Sequence, residues 1–170
     1  MTLIICGLAE VPALIAARAP SHMITLLDSA SMIDTPEQLP AERHLRLSVN
    51  DIAEPMDGLI LPSADLVHRL LEFGRAWDAS APMIVHCWAG ISRSSASAFV
   101  LACDRNPEAD ERAIALKMRA AAKHAYPNRR IVALADDILE RRGRMVDAVE
   151  AMGDYEYSGY GVPFDFSAAH

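Results

Sequence analysis

The sequence predicts an α/β fold, a central mostly parallel sheet of about four to five strands flanked by helices. Three observations carry that reading. Short apolar segments alternate with amphipathic ones through residue 93, the most apolar of them runs straight into a helical pattern, and from there the chain is helical almost throughout. Strands separated by helix-length segments do not close as hairpins; they return parallel through crossovers.

Leu3 to Ile5 reads as the first strand and Met23 to Leu27 as the second. The third, Leu45 to Val49, has the cleanest alternation: Leu45, Leu47 and Val49 are apolar while His44, Arg46, Ser48 and Asn50 are polar, the period of a half-buried strand. Met83 to His86 is short and nearly all apolar, as suits a central strand covered on both faces. Before it, Leu66, Leu70, Phe73 and Trp77 recur at helical spacing, predicting a helix over Ala64 to Trp77 with Ser63 as N-cap and Asp65 in the first turn. Beyond residue 93 the pattern predicts helices over Ser94 to Cys103, Glu108 to Lys123, Asn128 to Arg142 closed by Gly143, and Met145 to Met152 stopped by Gly153. The remaining segment, DYEYSGYGVPFDFSAAH, is aromatic and glycine-containing. It reads as an extended tail, 154–170, packed on the surface or on a partner, outside one catalytic domain spanning 1–153.

At 170 residues and 52% hydrophobic content the chain is long enough for one core and too short for two ordinary domains. Sixteen basic residues against 23 acidic ones give a net charge of −7, which argues against a general attraction to nucleic acid or to an anionic membrane. Any anion site is therefore local. Cys6, Cys87 and Cys103 show neither disulfide-scaffold nor metal-ligand spacing, which fits a reducing compartment and a cytoplasmic location with no metal site and no cofactor. The opening segment lacks a basic start and is interrupted by Glu10, Pro12 and Pro20, so it reads as a strand and helix of the fold and not as a signal peptide. No apolar run is long enough to predict a membrane span.

The chemistry concentrates in MIVHCWAGISRSS, residues 83–95. A cysteine ends an apolar strand, and an arginine separated from it by five residues opens a helix. A phosphoryl group needs donors for its non-bridging oxygens, and the N–H groups of Trp88, Ala89, Gly90, Ile91, Ser92 and Arg93, curled to one centre at a helix N-terminus, supply them. Gly90 permits the tight curvature. Arg93 brings a planar, permanently charged fork that grips two oxygens. Cys87 is then a nucleophile favoured as thiolate by the same cradle, with Ser94 placed to donate to it and His86 to steady the loop by hydrogen bonding.

The segment HCWAGISRS resembles the H-C-x5-R-[ST] signature loop of the cysteine-dependent protein tyrosine and dual-specificity phosphatases. The flanking His and Ser, the central Gly and the strand-to-helix setting make the match more specific than C-x5-R alone. The resemblance implies a phosphomonoester hydrolase working through a cysteinyl-phosphate, with a general-acid Asp on a loop some thirty-odd residues upstream. LRLSVNDIAEPMDGLILPS is similar to that loop. Asp51, 36 residues before Cys87, directly follows the alternating strand and is preferred as the acid; Asp57, 30 before it, is the reserve. YPNRRIVALADDIL resembles the family's Pro-Asn helix start, which implies that Asn128 helps hold the site loops, although Asn is also a common N-cap. The likeness spans residues 20–142, and the chain's length fits the compact dual-specificity branch better than the tyrosine-specific one. The implied partner is a phosphorylated protein or a small phosphomonoester. Oligomeric state is not written in the sequence.

Other residues have plainer readings. Cys103 is core, and Cys6 is a buried strand cysteine, with a protective disulfide to Cys87 as the alternative. Arg129, Arg130, Arg141, Arg142 and Arg144 read as a solvated helix surface, with a docking site as the alternative. Two other functions fit parts of the pattern: a rhodanese-like sulfurtransferase, which also cradles an anion around a cysteine, and a non-catalytic phosphate-binding adaptor of the same fold. The low-molecular-weight phosphatase and arsenate-reductase type carries its C-x5-R near the N-terminus and fits poorly.

Overall fold

The apolar segments pair into one five-stranded sheet. In this computed structural model, which describes all 170 residues, the strands are β1 (Thr2–Cys6), β2 (His22–Leu27), β3 (His44–Ser48), β4 (Met83–His86) and β5 (Phe164–Ser167), in the order β3-β2-β4-β1-β5. The first four are mutually parallel and β5 runs antiparallel to β1 at the edge. The tail thus adds the fifth strand: Phe164 and Phe166 alternate with Asp165 and Ser167, and Phe166 is buried.

The helices are α1 (Val11–Arg18), α2 (Ala64–Ala76), α3 (Arg93–Arg105), α4 (Glu111–Ala121), α5 (Arg129–Ile138) and α6 (Arg144–Glu150). Alternation along the strands splits the core in two. Leu3, Ile5, Ile24, Leu26, Met83 and Val85 join the large cluster built with α2 to α6, while Ile4, Cys6, Met23 and Ile84 pack against Val11 and Ile15 of α1. All of β4 is buried, as its apolar composition requires. α3 is buried without a break from Arg93 to Cys103 and runs through the middle of its layer; the Ser and Ala residues of its first half are small enough to be enclosed on every side.

Boundaries follow local chemistry. Ser63 caps α2, its hydroxyl accepting from Leu66 N at 3.2 Å, and the helix stops at Ala76 because Trp77 turns extended and buries its indole. α4 starts at Glu111, later than the periodicity predicts, with Asp110 accepting from Arg112 N at 3.0 Å. α5 ends at Ile138, short of Arg142, because the Asp136 carboxylate takes the amides of Gly143 at 2.6 Å and Met145 at 2.7 Å and starts α6 instead. One arginine departs from the solvated reading: Arg141 is buried, bonded to Glu111 Oε1, Cys103 O and Pro107 O. His44 likewise lies buried at β3 although it belongs to the polar half of the alternation. Cys6, Cys87 and Cys103 are free and buried, and no helix is long and apolar enough to cross a membrane.

Candidate active site

Between β4 and α3 the chain makes a loop whose carbonyls are held from outside. Trp88 O accepts from Leu8 N at 3.1 Å, Ala89 O from Gly161 N at 2.7 Å, Ile91 O from Tyr126 N at 3.0 Å and Ser92 O from Asn128 N at 3.2 Å. Across a trans peptide the C=O and the following N–H point in opposite directions, and no peptide here is cis. The amides of Ala89, Gly90, Ser92 and Arg93 therefore face the inside of the loop. Gly90 makes the turn possible with φ +73°, and a Cβ there would lie 2.6 Å from Cys6 C and Gly7 N. The loop is pressed against the end of β1 so closely that only glycine fits.

Cys87 and Arg93 share this loop. The Cys87 Sγ lies 3.2 Å from the hydroxyl of Ser94, which is fully buried in the first turn of α3. Arg93 is also buried; one guanidinium nitrogen, Nη1, donates to Val49 O at 2.8 Å, while Nε has no protein partner. An orphaned buried donor on a cation is costly unless an anion meets it, so the fork is set toward such a ligand. β3 ends beside the loop, as the parallel sheet demands, and delivers Asp51. Its Oδ1 accepts from Ser92 Oγ at 2.7 Å and Asn128 Nδ2 at 2.9 Å. Asn128 ties three segments together, since its Oδ1 also caps α5 through Arg130 N and Ile131 N, each at 3.1 Å. Asp57 is exposed and does not line the cleft.

His86 faces the other side of the sheet. Its Nε2 lies 2.6 Å from Thr25 Oγ1, which lies 2.7 Å from His44 Nε2; His44 Nδ1 lies 2.9 Å from Thr35 Oγ1, and His86 Nδ1 lies 3.4 Å from Cys87 O. Burial lowers both imidazoles to about 4, each adding a repulsive neighbour, His44 for His86 and Arg46 for His44. Both rings are therefore neutral, and hydrogen-bond logic fixes the tautomers. Cys87 O only accepts, so His86 carries its proton on Nδ1, Thr25 donates to His86 Nε2 and accepts from His44 Nε2, and Thr35 donates to His44 Nδ1. This row braces the root of the cysteine from behind. Thr25 and His44 were not legible as loop supports, because a Thr and a His in strands far apart in sequence carry no motif.

The loop opens into a cleft of about 560 Å³. Cys87, Trp88, Ala89, Ile91, Ser92, Arg93, Asp51 and Asn128 line it, whereas Gly90, Ser94 and His86 stand behind the lining. Six liners escape motif reading: Asp28 after β2, Tyr126, Arg129, and Tyr155, Tyr157 and Gly159 of the tail. The aromatic composition of the tail was the one available signal. Burial pushes the thiols of Cys6 and Cys103 up, holding them protonated. No group of three or more His, Cys, Asp or Glu side chains is arranged to hold a metal.

The fold is that of the protein tyrosine and dual-specificity phosphatases. Among solved structures, DUSP15 superposes with a TM-score of 0.62 at 15% identity, covering 88% of this chain and 89% of its own. PTPMT1 in complex with PI(5)P gives 0.61 at 14%, covering 82% and 90%. PTP-2 phosphatase of Cydia pomonella gives 0.59 at 20%, covering 79% and 84%. No protein-family model and no curated protein sequence matches the chain.

Proposed function

We propose that this protein is a cysteine-dependent phosphomonoester hydrolase of the tyrosine or dual-specificity type. The observation that carries the reading is the loop itself: Cys87, inward-facing amides and an unpartnered Arg93 Nε meet at the floor of one cleft that Asp51 also lines. The Cys87 thiolate attacks phosphorus in line, forming an S–P bond as the P–O ester bond breaks. Loop amides and Arg93 hold the equatorial oxygens where charge develops. Ser92 and Asn128 both use Oδ1 of Asp51, which leaves Oδ2 for the leaving oxygen and its proton. Asp51, now ionised, takes a proton from the water that attacks phosphorus; the S–P bond breaks, phosphate departs, and the Ser94 hydroxyl donates to the restored thiolate.

Steady-state turnover of an aryl phosphate by the wild-type and Cys87→Ser proteins tests this. Turnover by the first alone supports hydrolysis. Phosphate binding without turnover points to an adaptor, and thiocyanate formation from thiosulfate and cyanide points to sulfur transfer. The free thiols suit the cytoplasm, and localisation by microscopy of a tagged chain checks that setting.

One observation favours a second substrate class. Residues 88–92 carry no charge and Arg130 turns away to Pro62 O at 2.8 Å, but Arg129 lines the cleft and offers a cation to a second phosphate. The PTPMT1 complex with PI(5)P shows this fold holding such a lipid. Comparing kcat/KM for phosphotyrosyl and phosphoinositide substrates at low and physiological salt separates the two; a tenfold salt-sensitive preference for the lipid favours the second.

A further inference from the structure

The segment between α6 and β5 crosses the loop and is pinned on both sides of its crossing. Glu156 N donates to Lys123 O at 2.9 Å, and Gly161 N donates to Ala89 O, a carbonyl of the cysteine loop, at 2.7 Å. Between the two pins Gly159 turns the chain at φ +72°. The crossing is tight: a Cβ on Gly161 would lie 2.7 Å from the His124 ring and 2.9 Å from Gly90 O. The strap therefore has one seat, fixed by backbone contact with the loop that holds Cys87.

What the strap brings to that seat is aromatic. Tyr155 stacks on Tyr126 with centroids 4.3 Å apart and planes 26° apart, and Tyr157 meets Tyr155 edge-on at 6.5 Å. Tyr126 is itself fixed to the loop through its amide to Ile91 O. These three rings and Trp88, about half exposed, line the cleft around Cys87. Tyr157 is 80% exposed, so most of its ring stays open to a bound molecule.

We infer that residues 154–161 are a specificity strap whose tyrosines, with Tyr126 and Trp88, form a wall for an aromatic leaving group. This rests on the hydrolase reading of the same cleft. An aryl monoester carries its ring beside the phosphorus, so seating its phosphate in the loop presents a flat apolar surface to the wall; a seryl ester presents one methylene. Ring packing with offset or edge geometry then adds affinity that inorganic phosphate and alkyl esters lack.

The test is calorimetry on the Cys87→Ser protein with inorganic phosphate, butyl phosphate and 2-naphthyl phosphate, repeated with Tyr155→Leu, Tyr157→Leu and, to unseat the whole strap, Gly161→Ala added. The wall predicts that naphthyl phosphate binds roughly tenfold tighter than butyl phosphate, and that either tyrosine change cuts that ratio about three- to tenfold. Tyr157 is so exposed that its replacement does not threaten folding. Equal affinity for the two esters, or a ratio unmoved in both tyrosine variants, overturns the proposal. Tight aryl binding by a wild-type chain that turns nothing over defeats only the hydrolase reading, and failure to bind inorganic phosphate defeats both.

Discussion

Thr25 stands between two neutral, buried imidazoles, and its hydroxyl serves both: it donates to His86 Nε2 and accepts from His44 Nε2. Thr25→Val keeps the shape and removes both roles. Thr25 and His86 are fully buried and His44 nearly so, so water does not reach the two nitrogens left behind. Each orphan costs ~1–3 kcal/mol, so the variant loses about 2–6 kcal/mol, a large part of the roughly 5–15 kcal/mol that holds a domain together. Urea unfolding followed by circular dichroism measures it as a lower midpoint at unchanged slope. The same row sets an acid limit on the wild type. Both folded values, about 4, lie below the ordinary 6.5, so between those limits the unfolded chain binds more protons. The contribution of neutral rings is complete above pH 6.5, is lost as pH falls from 6.5 to about 4, and changes no further below. A loss under about 0.5 kcal/mol in Thr25→Val, within ordinary surface-substitution scatter, refutes the bridging role. Wild-type stability that rises on acidification through the window refutes the neutral pair.

Three further outcomes follow from the geometry. Gly90→Ala forces a side chain into φ +73° and against the backbone of Cys6 and Gly7, so it should cost several kcal/mol, of which ~1–2 is conformational, and should abolish phosphate binding even in whatever fraction stays folded; near-normal binding by calorimetry would show that the loop tolerates a Cβ. Asp51→Asn should slow an alkyl or phenolic phosphate by roughly 10² or more and an activated aryl phosphate by less, whereas Asp57→Asn should do neither; the reverse pattern moves the acid to Asp57. Mild peroxide should oxidise Cys87 before Cys6 and Cys103, whose burial keeps them as thiols, with bound phosphate protecting and added thiol restoring activity; equal modification of the three by mass spectrometry contradicts a selectively activated Cys87.

Much of this fold is legible because its signals are local. The Ser63 cap and the spacing of Leu66 and Leu70 place α2 to within a residue, and the Asn128 cap marks the start of α5. The glycine, cysteine and arginine of the loop are legible as a motif because they follow one another within the short segment from Cys87 to Arg93. What escapes is set by distant chain. His44 looks solvent-facing in its own strand and becomes buried only because Thr25 and Thr35 meet it from elsewhere. The end of α5 depends on an Asp136 carboxylate captured by amides beyond the helix. β5 is four residues long, follows a glycine-rich stretch, and finds its place only against β1. The tyrosine lining has the same origin: nothing near Tyr155 or Tyr157 in sequence says that Gly161 reaches back to Ala89.

The central claim is that Cys87 carries the phosphoryl group. Mixing Asp51→Asn protein, in which breakdown of the intermediate is slowed, with an activated aryl phosphate, quenching in acid and mapping the phosphorylated peptide by mass spectrometry reads it directly. The account predicts one phosphoryl group on the peptide containing Cys87, formed at the rate of the aryl-alcohol burst and missing from Cys87→Ser. Phosphate trapped on any other residue, or steady turnover by the Cys87→Ser protein, would contradict it.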